Sequence, residues 1–187
     1  MRISDGTNIG VESASRLTGF DFKIINANYP RRVMLSKFDH PVTRGMRPDT
    51  VFGSPLSYGP LLFPSDGTRL GLALTKQGRM LSGLAAKEMN GWRSVFTTAV
   101  PLPAELWRNL AAWAGAHVWT DDNDVLVASA TVVALHSLQS GPKVIRLPGP
   151  RRVHDLVTGE VLADRTDRID FILNAPETRV FRLEAVK

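Results

Sequence analysis

The sequence predicts an α/β part over residues 1–122 followed by an antiparallel β-module over residues 123–187. Three observations predict it. Up to Asp122 strand-like runs alternate with helical patterns, beyond it every apolar run has strand character, and turn signals separate the later runs at short intervals.

In chain order, Val11, Ala14 and Leu17 followed by Thr18-Gly19 fit a short helix with a glycine at its end, and Asn8 can cap its start. Phe20, Phe22 and Ile24 then alternate with polar residues as a strand does, and Val33 to Leu35 form a second apolar run. The stretch from Asp39 to Met46, with Pro41 early and Gly45 late, predicts one turn of helix. Residues 48–68 carry Pro48, Gly53, Pro55, Gly59, Pro60, Pro64 and Gly67, which predicts mostly loop with short strands. Three strands follow, Leu70 to Thr75, Met80 to Lys87 and Trp92 to Thr98, separated by Gln77-Gly78 and Asn90-Gly91. The second of these turns predicts a tight hairpin with positive φ at both residues. Pro103 to Ala114 reads as the one long helix, with Leu106, Trp107, Leu110, Trp113 and Ala114 on one stripe and Gly115 at its end. His117 to Trp119 reads as a short strand, and Asp121 to Asp124 as a solvated polar turn.

The closing module, Gly141 to Glu184, begins with a strand at Val144 to Leu147 that Pro148 to Pro150 is expected to stop by withholding donors. Val153 to Val157 resumes, Thr158-Gly159 turns the chain, and Glu160 to Ala163 runs back. Ile169, Phe171 and Leu173 mark the next strand, and Val180, Phe181 and Leu183 the last, after the break at Pro176.

Composition sets limits on function. Zero cysteines removes disulfides, zinc-thiolate sites and thiol nucleophiles. No apolar run approaches the roughly 18 residues of a membrane span, and the opening MRISDGTNIG lacks an apolar leader, so the expectation is a cytoplasmic protein with no membrane partner. The net charge is +5, and 17 of the 23 basic residues are arginine. They are scattered among acids rather than gathered in a stripe, which argues against a nucleic-acid surface.

The order Leu17-Thr18-Gly19, His40-Pro41-Val42-Thr43-Arg44-Gly45-Met46, Gly91-Trp92-Arg93-Ser94-Val95-Phe96, Pro101-Leu102-Pro103 and Leu110 to Val118 resembles the amidotransferase-like trimerisation domain of β-galactosidase-type glycoside hydrolases. The segment after Val125 is similar to the small β-domain that ends such enzymes. The resemblance covers nearly the whole chain. It implies a catalytic (β/α)8 barrel first, a flavodoxin-like assembly domain next and a small antiparallel β-sandwich last. Against that pattern the chain has no barrel, and it starts partway through the flavodoxin-like domain, the strand and helix expected before Ser4 being missing. The implied role is a non-catalytic assembly or accessory region, partnered by further copies of itself or by an absent catalytic domain, with no cofactor. A stand-alone carbohydrate-binding β-module is the alternative.

No catalytic residue is nominated. A glycosidase needs two carboxyl groups about 5 to 10 Å apart, one with a raised pKa, and Glu88, Asp121, Asp122, Asp124, Asp155 and Glu160 show no such pairing in sequence. In the resembled family the catalytic glutamates lie in the barrel, so none carries over. The acidic turn at 121–124 fails the EF-hand pattern, with Leu126 and Val132 where a glycine and a glutamate are required. An amidotransferase would need a cysteine beside its histidine. His117, His136 and His154 sit in strand patterns without companion ligands, so no metal site is expected. Trp92, Trp119 and His40 are the candidates for carbohydrate or interface contact: the two indoles stand at strand ends where they can reach a cleft or a partner, and His40 orients the turn before Pro41.

Overall fold

The computed structural model describes residues 10–75 and 78–186. The chain divides into two compact units, Met1–Ala114 and Gly115–Lys187, each with its own hydrophobic core. No helix among the described residues is long and apolar enough to cross a membrane.

The first unit opens with helix α1 (Val11–Thr18), which ends as predicted: Gly19 takes φ 75° and its N–H reaches the Ser15 carbonyl at 2.7 Å. Gly10 stands at the N-cap, while Asn8 and the segment around Ser4 lie outside the described residues. Strand β1 (Phe22–Ile25) pairs with β4 (Leu61–Pro64) in a small two-stranded sheet. The main sheet has five strands in the order β3 (Val51–Tyr58), β2 (Tyr29–Leu35), β5 (Thr68–Leu74), β6 (Met80–Met89), β7 (Trp92–Thr97). Helix α2 (Ala104–Trp113) completes the unit, and its Leu106 is buried in the core with Val33, Leu35, Phe52, Leu70 and Leu84.

Among the described residues of this unit every strand pairing is antiparallel, which corrects the α/β reading and the flavodoxin-like sheet implied by the resemblance. The reason is connection length. A parallel pair needs a crossover of a dozen residues or more, and β6 reaches β7 through the two residues Asn90-Gly91. That hairpin forms where expected, but only Gly91 has positive φ (84°), the sign pattern of a type II turn rather than type I′. Of the turn at Gln77-Gly78, Gln77 lies outside the described residues and Gly78 takes φ 74°.

Three local expectations change for identifiable reasons. The segment read as loop contains the eight-residue β3, because Pro55 sits on an edge strand where its missing donor is tolerated. The stretch 41–45 forms successive turns, with Thr43 N–H to the His40 carbonyl and Met46 N–H to the Thr43 carbonyl, rather than a helical turn. Trp107 is 60% exposed and Ala114 is also exposed, so neither is core: Leu106 and Trp113 lie two turns apart on one face, and Trp107 and Ala114 each fall about 100° from it.

Glycine is required where β5 and β6 slip register in the main sheet. β5 and β6 each carry one unpaired residue, Leu70 and Gly83, where their register slips. A Cβ on Gly71 or Gly83 would come within 2.6 Å of the Val33 side chain from either side. Elsewhere, Lys87 fixes α1 against the sheet by donating to the Gly19 carbonyl at 2.6 Å and to the Asp66 carboxylate, whose other oxygen accepts the Asp21 N–H at 2.9 Å. Burial pushes the Asp66 carboxyl up, but its bonds to Lys87 and Asp21 outweigh that and leave it below the usual range.

The second unit is one antiparallel sheet in the order β11 (Val161–Leu173), β10 (Gly141–Asp155), β12 (Glu177–Ala185), β9 (Val132–Ser137), β8 (Val125–Ala128). The prolines do not stop β10. Pro148 and Pro150 fall where the ladder to β11 lapses between Arg146 and Arg151, so these two residues without donors sit where no bond is made. Both arms of the bent strand feed one core, with Ile145 and Ile169 meeting Val133, Leu135, Val153, Phe181 and Leu183 in a sandwich-like arrangement. His117 to Trp119 is irregular rather than strand, although the Trp119 carbonyl accepts the Arg146 N–H at 2.7 Å. β8 is an edge strand whose Leu126 turns inward while Val125 and Val127 face solvent.

The β10–β11 turn is built on Asp155, which is fully buried. Its Oδ1 accepts the N–H groups of Val157 (2.8 Å) and Thr158 (3.1 Å), and its Oδ2 takes both Nε and Nη2 of Arg179. The Arg179 guanidinium also lies 5.9 Å from the rings of Phe171 and Phe181. The acidic turn is less solvated than its sequence suggests, since Asp124 pairs with Lys143 at 2.7 Å, both side chains nearly buried.

Candidate functional site

The end of the β6–β7 hairpin gathers most of the residues singled out in the first unit. Along these strands Glu88 lies opposite Arg93 and Met89 opposite Trp92, so alternation sends the two pairs to opposite faces. On the first face the Arg93 guanidinium stacks 5.3 Å over the Trp113 ring and donates to the Trp113 carbonyl at the end of α2. The His40 ring meets Trp113 edge-on, centroids 5.4 Å apart. His40 Nδ1 accepts the Val42 N–H at 3.2 Å, which leaves the ring proton on Nε2. Burial holds its pKa below the ordinary histidine value, against the pull of the Glu88 charge, so the ring is neutral at neutral pH. Asn109 of α2 clasps the same turn by donating to the Val42 and Arg44 carbonyls at 3.1 and 3.0 Å. His40 thus orients its turn against α2.

On the other face the half-exposed Trp92 leans over Gly19, with Cη2 at 3.4 Å from the position a Cβ would take there. An open cleft of about 550 Å³ at the hairpin end is lined by Glu88, Met89, Gly91, Trp92, Arg93 and Ala114. It offers one carboxylate, one guanidinium and one indole, a set suited to binding; a hydrolytic pair would need a second carboxyl group.

Trp119 belongs to the second unit. It packs, partly buried, against that unit's core and meets His117 edge-on at 5.1 Å, while His117 Nε2 bonds the Arg146 carbonyl at 2.8 Å. His136 is bonded to Thr178 (2.9 Å) and His154 to Glu184 (3.1 Å). Among the described residues no three histidine or acidic side chains gather into a metal-holding group.

No family model matches the sequence, and neither does any curated protein. The fold is similar to part of the β-galactosidase from Bacillus circulans sp. alkalophilus, with a TM-score of 0.52 and 15% identity over 90% of this chain. The chain spans about a quarter of that enzyme's length, 25%.

Proposed function

We propose that the chain is an assembly or accessory region of a β-galactosidase-like glycoside hydrolase, presenting a subunit interface rather than a reaction centre. The observation that carries this reading is the likeness of fold, which takes in nearly the whole of this chain and a quarter of the β-galactosidase. The parallel between the first unit and a trimerisation domain is retained here as a role, not as a flavodoxin-like topology.

An exposed apolar row supports the interface. Val51 and Met34 lie opposite each other on β3 and β2, Met34 lies opposite Leu72 on β5, and Leu74 lies opposite Met80 on β6. Four of these five are exposed, which makes a continuous apolar stripe across one sheet face. In sedimentation equilibrium the chain is expected to self-associate, and the double variant Met34→Lys with Leu74→Lys to sediment as a monomer with an unchanged melting temperature. A wild-type chain that stays monomeric at the highest attainable concentration overturns the reading.

A carbohydrate-binding module is the second reading, favoured by the half-exposed Trp92 at the hairpin cleft. Titration with galactosides or β-glucans is then expected to change tryptophan fluorescence, and Trp92→Ala to abolish the change. A response that survives in the variant removes Trp92 as the platform.

A further inference from the structure

A second cleft in the first unit, about 400 Å³, lies between the small sheet and the main one. Lys23 of β1 and Arg69 of β5 stand on its walls, both exposed, and neither makes an ion pair among the described residues. Asp66 is the one carboxylate on its lining, and Lys87 already neutralises it. The cleft therefore carries a net positive field with two cations uncommitted.

Two serines stand on its lining. Ser82 Oγ is buried on the wall without a hydrogen-bond partner, a state that native hydroxyls rarely keep. Ser65 Oγ donates to the Asp21 carbonyl at 3.1 Å, so its lone pairs stay free to accept. Phe63, Pro64, Met80 and Leu81 supply an apolar wall beside these groups. A bare inorganic ion would use the two cations alone. A ring-sized acid would in addition cover the apolar wall and satisfy the serines, and the volume lies within the range of small-molecule sites.

We infer that this cleft binds a sugar bearing an acid group, a uronate or a sulfated hexose, with Lys23 and Arg69 on the acid and Ser65 and Ser82 on ring hydroxyls. The preference for a sugar over other ring acids rests on the glycosidase-like reading above; the preference for an anion rests on the cleft.

The test is titration of the ¹⁵N-labelled full chain at low ionic strength with glucuronate, galactose 6-sulfate, galactose and inorganic phosphate, following the amides of Arg69 and Ser82. The two acidic sugars are expected to give saturable shifts that weaken with salt, with affinity falling about tenfold in Arg69→Gln and in Lys23→Gln. Galactose and phosphate are expected to bind at least about tenfold more weakly. The inference is overturned if phosphate or galactose matches the acidic sugars, if neither variant weakens binding, or if no ligand saturates. Self-association is read separately by sedimentation, so a monomer that binds acidic sugars removes the assembly reading alone, and an oligomer that does not removes this one.

Discussion

Asp155→Ala is expected to destabilise the second unit by about 3–5 kcal/mol, the range for removing one member of a buried ion pair. The carboxylate is fully buried and accepts two backbone amides and two guanidinium nitrogens. Truncation would leave Arg179 largely buried beside Phe171 and Phe181 with only the more distant, partly exposed Glu177 carboxylate to balance its charge, and would orphan the two N–H groups that shape the β10–β11 turn. Burial alone would push the Asp155 carboxyl up; the Arg179, Thr158 and Val157 hydrogen bonds overcome it and hold the group below the usual carboxylate range. Its folded pKa therefore lies under its unfolded value of about 3.9. The associated stability is present above that value and is lost as pH falls through the folded pKa. Urea unfolding near neutral pH and again below pH of about 4 checks both parts: the variant should lose stability at neutral pH and show a smaller further loss on acidification. Glu177→Ala, which removes a partly exposed carboxylate 3.7 Å from Arg179, should cost no more than about 1 kcal/mol. An Asp155→Ala protein as stable as wild type would mean that the turn does not depend on this carboxylate.

Gly53→Ala is expected to cost at least about 3 kcal/mol in the first unit, combining left-handed strain with overpacking. Gly53 holds φ 104°, and an added Cβ would fall 2.0 Å from the Arg31 carbonyl oxygen and 2.8 Å from the Ala99 Cβ. The first of these is backbone and lies in the β2–β3 ladder, where Arg32 pairs with Gly53 and Arg31 with Ser54, so it cannot yield without breaking pairing. Gly91→Ala separates the two effects, because Gly91 also has positive φ but open space around it, and should cost roughly 1 kcal/mol. Equal melting temperatures for the two variants would refute the steric argument.

Local chemistry made much of this fold readable. Gly19 ends α1, Asn90-Gly91 closes β6 on β7, and Thr158-Gly159 lies in the last long hairpin because each signal concerns residues within a few positions of one another. What escaped depends on distant partners. The pairing of β2 with β5 joins strands separated by β3 and β4, and nothing in either run names the other. Trp107 and Trp113 look alike along the helix, and only the position of the sheet decides which one is buried. At the hairpin end, Trp92 could be selected as an aromatic at a strand start, but Arg93 acquires its meaning from Trp113, 20 residues on. Asp155 read as an ordinary hairpin residue because its partner Arg179 lies 24 residues away. Lys23, Arg69 and Ser82 gave no signal at all, being single polar residues on three separate strands.

The sheet of the second unit stops at β8, and that open end bears on how the protein behaves when concentrated. In the first unit the edge strand β3 is interrupted by Pro55, which withholds a donor from any strand approaching it. Val125 to Ala128 contain neither proline nor charge, and Val125 and Val127 turn apolar side chains outward beside their unpaired backbone groups. Such a border is a template for edge-to-edge aggregation. Its protection is brevity: the strand is four residues long, bounded before it by the Asp124–Lys143 ion pair and after it by the Ser129 turn, whose hydroxyl accepts the Thr131 and Val132 amides. Solubility at high concentration therefore depends on those two closures, and any change that lengthens β8 at either end offers a neighbouring chain a longer strand on which to grow.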